Sequence, residues 1–195
     1  MSIAAFVTAA GLSSRMGEFK PLLQIGNIPA AEHIILSFRA AGIKDIAVVS
    51  GYNAAELEGK LKHLGLVFLR NEQYENTEMF DSVKIALEYL KNRYSKIAFS
   101  PVDVPLFKPE TVKLLLQSEA PVTVPVFRGK KGHPIVMDGK AVIQILNYPG
   151  NGGLRGAMEN LSLDVAYVEV DDPGILYDID NQDDYNKIVK MYNEN

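Results

Sequence analysis

The chain has no cysteine, no long apolar run and no excess of basic residues. Without cysteine it can form neither a disulfide framework nor a thiolate metal site. No stretch approaches the roughly 20 apolar residues of a membrane-spanning helix, and the N-terminus lacks the basic start and long apolar core of a signal peptide. We therefore expect a cytoplasmic protein with no membrane partner. A net charge of −4 argues against nucleic-acid binding, which usually requires a basic excess.

A length of 195 residues, of which 47% are hydrophobic, suffices for one α/β domain with a sizeable core. Apolar runs predict strands at 3–8, 45–50, 66–69, 96–100, 122–126, 133–137 and 165–170. Helical patterns lie at 29–41, 53–65, 77–90, 110–118, 139–146, 154–160 and 182–192, with Thr77 as the predicted cap of the third. This alternation predicts a single Rossmann-like domain over 1–195, with a mostly parallel sheet sandwiched by helices. We expect residues 119–195 to extend the same domain as residues 1–118 and not to form a separate unit.

The first predicted strand runs directly into a glycine-bounded basic loop. Small residues at 9–11 let the backbone approach a ligand closely, and successive backbone N–H groups can cradle phosphate oxygens. Arg15 adds a rigid fork of donors, and Lys20 adds a compact charge. We interpret the loop as the phosphate site for a nucleoside triphosphate (NTP). The candidate nucleotide-binding residues in it are Ala9, Ala10, Gly11, Ser13, Ser14, Arg15, Gly17 and Lys20.

This loop matches neither of the two common glycine-rich phosphate motifs. A Walker loop has four residues between its glycines and a lysine after the second, whereas five residues separate Gly11 from Gly17, and Glu18 follows. The Gly-x-Gly-x-x-Gly dinucleotide fingerprint is also absent. The remaining alternative is an ordinary strand-to-helix turn with solvated charges, and the complete string from Ala9 to Lys20 favours the phosphate site.

Asp103 follows the predicted strand at 96–100 and stands between Pro101 and Pro105. Ligands bind at the carboxyl ends of strands in open α/β sheets, and the two prolines stiffen the backbone around the carboxylate. Mg²⁺ takes one or two protein carboxylates, while phosphate oxygens and waters complete its octahedron. We therefore predict that Asp103 binds a metal, since the helix near Glu110 begins too far along the chain for Asp103 to cap it.

A second acidic group follows at residues 178–184. Asp178 and Asp180 are two residues apart, so in an extended segment they share one face while Ile179 lies on the other. Either carboxylate can reach the same ion, and we favour Asp180 because only one is needed beside Asp103. The acids at 183–184 fall in the first turn of the last helix, where negative charge stabilises the helix dipole.

Together these motifs resemble the molybdenum cofactor nucleotidyltransferases, which have a glycosyltransferase-A-like fold. The matching segments occur in the expected order at residues 9–17, 20–23, 103–105, 132–134, 152–155 and 178–181. Gly-His-Pro at 132–134 and Asp-Ile-Asp at 178–180 are similar to the cytidylyltransferase branch. Ala-Ala-Gly at 9–11 also resembles that branch, since the guanylyl branch usually has two adjacent glycines there.

The resemblance implies an enzyme that transfers NMP, most specifically CMP from CTP, to the phosphate of a molybdopterin-type cofactor and releases pyrophosphate. Its implied catalytic residues are Arg15, Lys20 and Asp103. Lys20 would steady the α-phosphate and Arg15 the β- and γ-phosphates. Asp103 and Asp180, with Asp178 as the alternative, would hold Mg²⁺, for which Mn²⁺ is the substitute. Such a reaction depends on positioning and charge neutralisation and requires no protein nucleophile.

The resemblance also suggests residues for the base and for the acceptor. Asn71 and Ser82 match the base-side segment, although a turn residue and a hydroxyl on a helix face explain them equally well. His133 and Arg155 are the candidate acceptor-binding residues. The basic cluster at 128–131 suits an anionic acceptor, and its alternative is a solvated hairpin tip.

The implied division of the domain is an NTP-binding half over 1–118 and an acceptor-side half over 119–195. Three alternatives stay open: a guanylyltransferase, a transferase for sugar, polyol or choline phosphate, and a delivery protein that hands a cofactor to a molybdenum hydroxylase. Asn151 stands where the related sequences often have Asp, and this weakens the acceptor assignment more than the NTP assignment. The oligomeric state is left open.

Overall fold

The apolar runs of the sequence form the strands of one twisted sheet in the computed structural model, which describes residues 2–12 and 17–193. The strands are β1 (Ile3–Ala9), β2 (Gln24–Ile25), β3 (Ile28–Pro29), β4 (Asp45–Ser50), β5 (Val67–Arg70), β6 (Lys96–Pro101), β7 (Val122–Phe127), β8 (Lys130–Lys131), β9 (Ile135–Asp138) and β10 (Val165–Glu169). β2 and β3 form a separate small hairpin, and the other eight strands belong to the main sheet.

Seven α-helices connect or flank these strands in the described part of the chain. They are α1 (Ala30–Ala40), α2 (Ala54–Leu61), α3 (Met79–Leu90), α4 (Pro109–Gln117), α5 (Gly139–Leu146), α6 (Gly153–Asn160) and α7 (Gln182–Asn193). Short 3₁₀ turns lie at Lys20–Leu22, Lys62–Leu64, Tyr74–Asn76 and Pro173–Leu176. Within residues 2–12 and 17–193, no helix is both long and apolar enough to cross a bilayer.

The main sheet has the strand order β10-β7-β9-β6-β1-β4-β5, with β8 paired to β7. β1 pairs in parallel with both β4 and β6, and β4 pairs in parallel with β5. β9 runs antiparallel between β6 and β7, and β10 is parallel to β7. The predicted fold class, an α/β fold with a mostly parallel sheet, is therefore confirmed.

The order of connections places a topological switch point between β1 and β6. From β1 the chain moves outward through β4 to β5, and then returns through α3 to β6 on the other side of β1. Strands at such a point diverge at their carboxyl ends, which leaves a crevice for a ligand. β1 ends at Ala9 and β6 ends at Pro101. Since Thr8 pairs with Pro101, both strands end at the same level, beside this crevice.

Helices cover both faces of the sheet, as the alternating pattern predicted. One core joins the sheet to α1, α2 and α4 through side chains such as Ile34, Leu57 and Val112. The second core joins the opposite face to α3, α5 and α6, with Val83 and Ala157 among its buried residues. Burial on both faces explains why the central strands are nearly continuous apolar runs.

A third, smaller core joins the two ends of the described chain. It consists of Leu23, Ile25, Ala30, Ile179 and Ile188, all at most 5% exposed. The first three residues lie in or beside the β2–β3 hairpin, and the last belongs to α7. Through this core, the segment that follows Lys20 packs against the segment that contains Asp180.

Two local predictions were wrong at the start of α3. Glu78, not Thr77, occupies the N-cap position, and it forms a reciprocal capping box with Asp81. The Thr77 hydroxyl instead donates to the carbonyl of Gln73 at 3.0 Å. Met79 was predicted on the buried face, but it is 56% exposed because it falls in the first turn, where the helix leaves the core.

Candidate active site

A cavity of about 180 Å³ opens at the carboxyl ends of β1 and β6. Its floor is the backbone that leaves β1 at Ala9, Ala10 and Gly11. The other residues that line it are Thr8, Lys20, Pro21, Asn71, Tyr74, Thr77, Glu78, Met79, Ser82, Pro101, Val102 and Asp103. The structure thus brings the predicted phosphate loop, the predicted metal ligand and the predicted base-side residues to one crevice.

Close backbone packing fixes the position of this floor. Val102 N donates to Thr8 O at 3.1 Å, and Tyr52 N donates to Ala10 O at 3.3 Å. A Cβ atom at Gly51 would lie 2.8 Å from Ala10 O, so only glycine allows this approach. A Cβ atom at Gly11, by contrast, would meet no described atom within 4 Å. Glycine at position 11 therefore leaves space above the floor.

Lys20 and Asp103 line one side of the cavity, and the segment of Asp178 and Asp180 lies next to them. Lys20 Nζ lies 3.5 Å from Asp180 Oδ1, and the lysine side chain is only 15% exposed. Ile179 N donates to Asp103 O at 2.9 Å, so the segment of Asp178 and Asp180 is joined directly to the Asp103 backbone. Ile179 itself is fully buried, as the alternation of the two acids around it predicted.

The acids respond to one another and to the lysine. Burial raises the pKa of the Asp103 carboxyl, the charge of Lys20 opposes this rise, and Asp180 adds to it. The carboxyl of Asp178 is partly buried, and this burial is the main reason why its pKa rises to about 6. Repulsion from Asp103 and Asp180 is the second cause. The charge of Lys20 does not neutralise the three carboxylates, so a bound cation would stabilise their ionised forms.

The donor set fits a hard divalent cation. Asp103 Oδ1 is buried and has no hydrogen-bond partner. A buried carboxylate oxygen without a partner carries a desolvation cost that a metal ligand bond would offset. No group of three or more metal-binding side chains occurs among residues 2–12 and 17–193. Mg²⁺ needs only one or two protein carboxylates when phosphate oxygens supply other positions, so this arrangement suits it.

The predicted base-side residues form one buried hydrogen-bond network. Asn71 Nδ2 donates to Ser82 Oγ at 3.1 Å and to Thr77 Oγ1 at 2.8 Å, while Asn71 Oδ1 accepts from Gln73 N at 3.1 Å. Asn71 and Ser82 are both at most 5% exposed. Both amide hydrogens of Asn71 are thus donated within the protein and Asn71 shapes the wall, whereas the Ser82 hydroxyl lines the cavity and has a proton to donate.

The structure describes only part of the predicted phosphate loop. Ser13, Ser14 and Arg15 lie outside the described residues. Gly17 is described, and its φ of +68° is a backbone conformation that favours glycine.

A second cavity, of about 570 Å³, lies on the face of the sheet that α6 covers and contains both predicted acceptor residues. His133 and Arg155 line it, together with Val124, Lys131, Gly132, Ile135, Met158, Glu159, Ser162, Leu163, Val165 and Tyr167. The floor is apolar. Two cationic side chains lie at its surface. Lys131 donates a hydrogen bond to Tyr167 Oη at 2.8 Å, and Arg155 forms an ion pair with Glu159 at 2.9 Å.

His133 is fixed just before β9, which begins at Ile135. Its backbone N–H donates to Ile175 O at 3.1 Å, and its ring meets the edge of Phe99 at a centroid distance of 5.5 Å. Its Nδ1 atom is buried and has no hydrogen-bond partner. Burial lowers the pKa of His133 to about 4, so the ring is neutral at physiological pH. A neutral imidazole can hydrogen-bond to an acceptor molecule but cannot neutralise its phosphate.

The buried His133 should make stability depend on pH. Its folded pKa of about 4 lies below the unfolded value of 6.5, so the unfolded chain binds more protons in this window and the free energy of unfolding falls as the pH falls. Between pH 7.5 and 5 we expect His133 to cost about 2 kcal/mol of stability. Urea unfolding at both pH values should show a loss about 2 kcal/mol larger in the natural protein than in His133→Gln, because other titrating groups such as Asp178 act equally in both.

His63→Gln is the matched control for this measurement, because His63 is a surface histidine with a side chain 56% exposed. It should keep the full pH dependence of the natural protein. An equal loss of stability in His133→Gln and in the natural protein would contradict the buried neutral state of His133.

Sequence reasoning missed several residues that line the two cavities. Tyr74, Glu78 and Met79 belong to the first cavity, and Tyr167 belongs to the second. A polar loop before a helix gives no sign of which side chains face a ligand. The alternation of β10 could have indicated Tyr167, which is 53% exposed on that strand.

The chain is similar to known proteins along its full length. The family model described as MobA-like NTP transferase domain matches residues 5–165. The molybdenum cofactor cytidylyltransferase of Escherichia coli (strain K12) is 28% identical over 99% of this chain and 98% of its own length. This alignment extends through Asp178 and Asp180, which lie beyond the residues that the family model matches.

Solved structures have the same fold at lower identity. A nucleotidyl transferase from Methanothermobacter thermautotroptrophicus has a TM-score of 0.87 and 22% identity, over 99% of this chain and 98% of that one. Rv0371C from Mycobacterium tuberculosis H37Rv, solved in complex with manganese, has a TM-score of 0.76 and 20% identity, over 97% and 99% of the two chains.

The resemblance found in the sequence motifs is therefore confirmed by the family match and by the relative from Escherichia coli. The cavity lies at the switch point of a fold that solved nucleotidyltransferases share, and it is lined by the motif residues that carried the resemblance. This chain belongs to the family of MobA-like NTP transferase domains.

Proposed function

We propose that the protein transfers CMP from CTP to the phosphate of a molybdopterin-type acceptor and releases pyrophosphate, as one nucleotidyltransferase domain over residues 1–195. The observation that carries the proposal is the convergence of Lys20, Asp103 and Asp180 beside the backbone of Ala9–Gly11. The related enzyme of Escherichia coli is named as a cytidylyltransferase, and the Ala-Ala-Gly form of the loop supports the same nucleotide.

In this proposal each polar group acts on a different part of the nucleotide. The triphosphate lies over the floor at Ala9–Gly11, where a missing Cβ at Gly11 leaves room for it. Lys20 steadies the α-phosphate, and Arg15 steadies the β- and γ-phosphates. Asp103 and Asp180 would hold Mg²⁺ or Mn²⁺, and the bound ion would neutralise charge on the phosphates.

The transfer needs no covalent step on the protein. An acceptor phosphate oxygen forms a bond to the α-phosphorus while the bond from the α-phosphorus to the bridging oxygen breaks, and pyrophosphate leaves with that electron pair. An acceptor phosphate is already ionised at neutral pH, so no strong general base is required. Lys20 stabilises the charge on the α-phosphate during transfer, and Arg15 stabilises the charge that develops on the leaving pyrophosphate.

The acceptor is proposed to occupy the second cavity. Its apolar floor suits a ring system, the neutral His133 suits a hydrogen bond to that ring, and Arg155 and Lys131 provide positive charge for an anion. In the first cavity, the Ser82 hydroxyl would donate a hydrogen bond to the base. Asn71 positions this hydroxyl by donating a hydrogen bond to it.

A panel of the four NTPs tests the nucleotide, with pyrophosphate release measured in the presence of molybdopterin and Mg²⁺. We expect release with CTP and a rise in thermal stability with CTP and Mg²⁺, because a ligand that binds only the folded state stabilises it by mass action. Selective stabilisation and turnover by GTP would contradict the choice of base. Turnover with sugar, polyol or choline phosphate in place of molybdopterin would contradict the acceptor.

Cofactor binding without turnover would identify a delivery protein instead. In that case every NTP and acceptor pair would give pyrophosphate release at background, while molybdopterin would still bind tightly. A pull-down with a molybdenum hydroxylase would then test the partner that such a role requires.

A further inference from the structure

The C-terminal helix α7 is fastened to the strand that follows Lys20. Tyr185 Oη donates a hydrogen bond of 2.5 Å to the carbonyl of Gln24, across 161 residues of sequence. Gln24 begins β2, directly after the 3₁₀ turn Lys20–Leu22 and the single residue Leu23. A fixed position of Gln24 therefore limits where Lys20 can lie.

Apolar contacts support the same connection. Ile188 of α7 is packed in the third core with Leu23 and Ile25, on either side of Gln24. Tyr192, one turn further along α7, lies over Gly26, where a Cβ atom would come within 2.5 Å of the tyrosine ring. The helix thus lies close against β2 and the turn at Gly26 that follows it.

The other end of this connection is the segment that carries Asp180. Asn181 Oδ1 accepts from the backbone N–H groups of Asp183 and Asp184 at 3.0 and 3.1 Å, so the first turn of α7 begins immediately after Asp180. On the preceding side, Ile179 N is bonded to Asp103 O. Asp180 is therefore held between Asp103 and α7.

We infer that Tyr185 is a positioning residue, which sets Asp180 at its distance from Lys20 and Asp103 by fastening α7 to β2. The inference rests on the proposed function, in which these three side chains bind the metal and the triphosphate. Tyr185 lines neither cavity, and its effect on the metal passes through Asp180, whose distance from Lys20 it sets.

Tyr185→Phe removes the hydroxyl and keeps the ring, and Mn²⁺ binding in the presence of CTP, measured by electron paramagnetic resonance, is the readout. Without an acceptor CTP is not consumed, so binding is measured separately from turnover. We expect the Kd for Mn²⁺ to rise about three- to tenfold, the range that one lost hydrogen bond gives. The KM for CTP should rise with it.

Tyr192→Phe is the matched control, since it makes the same change on the same helix and Tyr192 packs by its ring. It should bind Mn²⁺ like the natural protein. In an Asp180→Asn background, Tyr185→Phe should weaken Mn²⁺ binding no further, because its effect passes through Asp180. Urea unfolding of all variants shows that they are folded.

Natural affinity for Mn²⁺ in Tyr185→Phe would overturn the inference, and so would an equal loss in Tyr192→Phe or a further loss in the Asp180→Asn background. These failures leave the proposed function in place if the natural protein releases pyrophosphate from CTP. A natural protein that binds Mn²⁺ through Asp180 but transfers no nucleotide would overturn the proposed function and keep the role of Tyr185.

Discussion

Asp103→Asn is expected to lower CMP transfer about a thousandfold while it stabilises the ligand-free protein at neutral pH. The activity is lost because asparagine brings no negative charge to the cation that would neutralise the triphosphate. The stability is gained because the carboxylate is buried with Oδ1 unpaired, and an amide carries no charge to desolvate. Pyrophosphate release and urea unfolding at pH 8 measure the two effects.

The gain in stability should itself depend on pH. The pKa of Asp103 is higher in the folded than in the unfolded protein, so ionisation of this carboxyl lowers the free energy of unfolding at high pH. This loss of stability disappears as the pH falls through the folded pKa towards the unfolded pKa. The advantage of Asp103→Asn should therefore shrink as the pH is lowered from 8 to 4. A constant difference in stability over this range would show that the carboxylate is not the cause.

Asp172→Asn provides a matched control with the opposite expectation. Asp172 is also buried, but its carboxylate accepts from Lys108 N at 2.7 Å, from Thr111 Oγ1 at 2.6 Å and from Gly174 N at 3.0 Å. Its replacement should cost about 1–3 kcal/mol of stability, because an amide NH₂ would face a donor. Turnover per folded molecule should stay unchanged. Equal loss of turnover in both variants would contradict the specific role of Asp103.

Lys20→Met is expected to lower kcat/KM for CTP about a thousandfold, through two effects that add. The variant lacks the charge that steadies the α-phosphate. It also lacks the charge that lowers the pKa values of Asp103 and Asp178, so these carboxylates protonate more readily. Binding of Mn²⁺ with CTP requires ionised carboxylates, and its loss on acidification should begin at higher pH in the variant than in the natural protein.

Lys187→Met is the control for Lys20→Met, because Lys187 is an exposed lysine of α7 that pairs with Asp184 at 3.4 Å. It should keep both the turnover and the pH profile of the natural protein. Turnover of Lys20→Met within about fivefold of the natural protein, or an unchanged pH profile for Mn²⁺ binding, would contradict the role given to Lys20.

The sequence allowed the central sheet and half of the site to be predicted, because both depend on local patterns. Strands such as β1 and β6 are buried on both faces, so they are nearly continuous apolar runs. Asp103 follows such a run between two prolines, and Asp178 and Asp180 alternate around a buried Ile179. These signals are contained within a few residues of chain, and the structure places them as expected.

Features that depend on pairing between distant segments could not be predicted. The β2–β3 hairpin has only two residues in each strand, too few for a periodic pattern. The turn at 128–132 did indicate a returning strand at 133–137, but the placement of β9 beside β6 depends on the whole fold, as does the contact of Tyr185 with Gln24. The cap at Glu78 was missed because Thr77 beside it is the better cap in isolation, and the pairing of Glu78 with Asp81 is what favours Glu78.

The central claim is that residues from both ends of the chain hold one cation and one triphosphate. The most direct test is a crystal structure grown with CTP and Mn²⁺, in which anomalous scattering locates the metal. The account predicts an anomalous peak about 2.1 Å from carboxylate oxygens of Asp103 and Asp180, with the phosphates over Ala9–Gly11 and Lys20 at the α-phosphate. A metal bound away from both carboxylates, or phosphates outside this cavity, would contradict it.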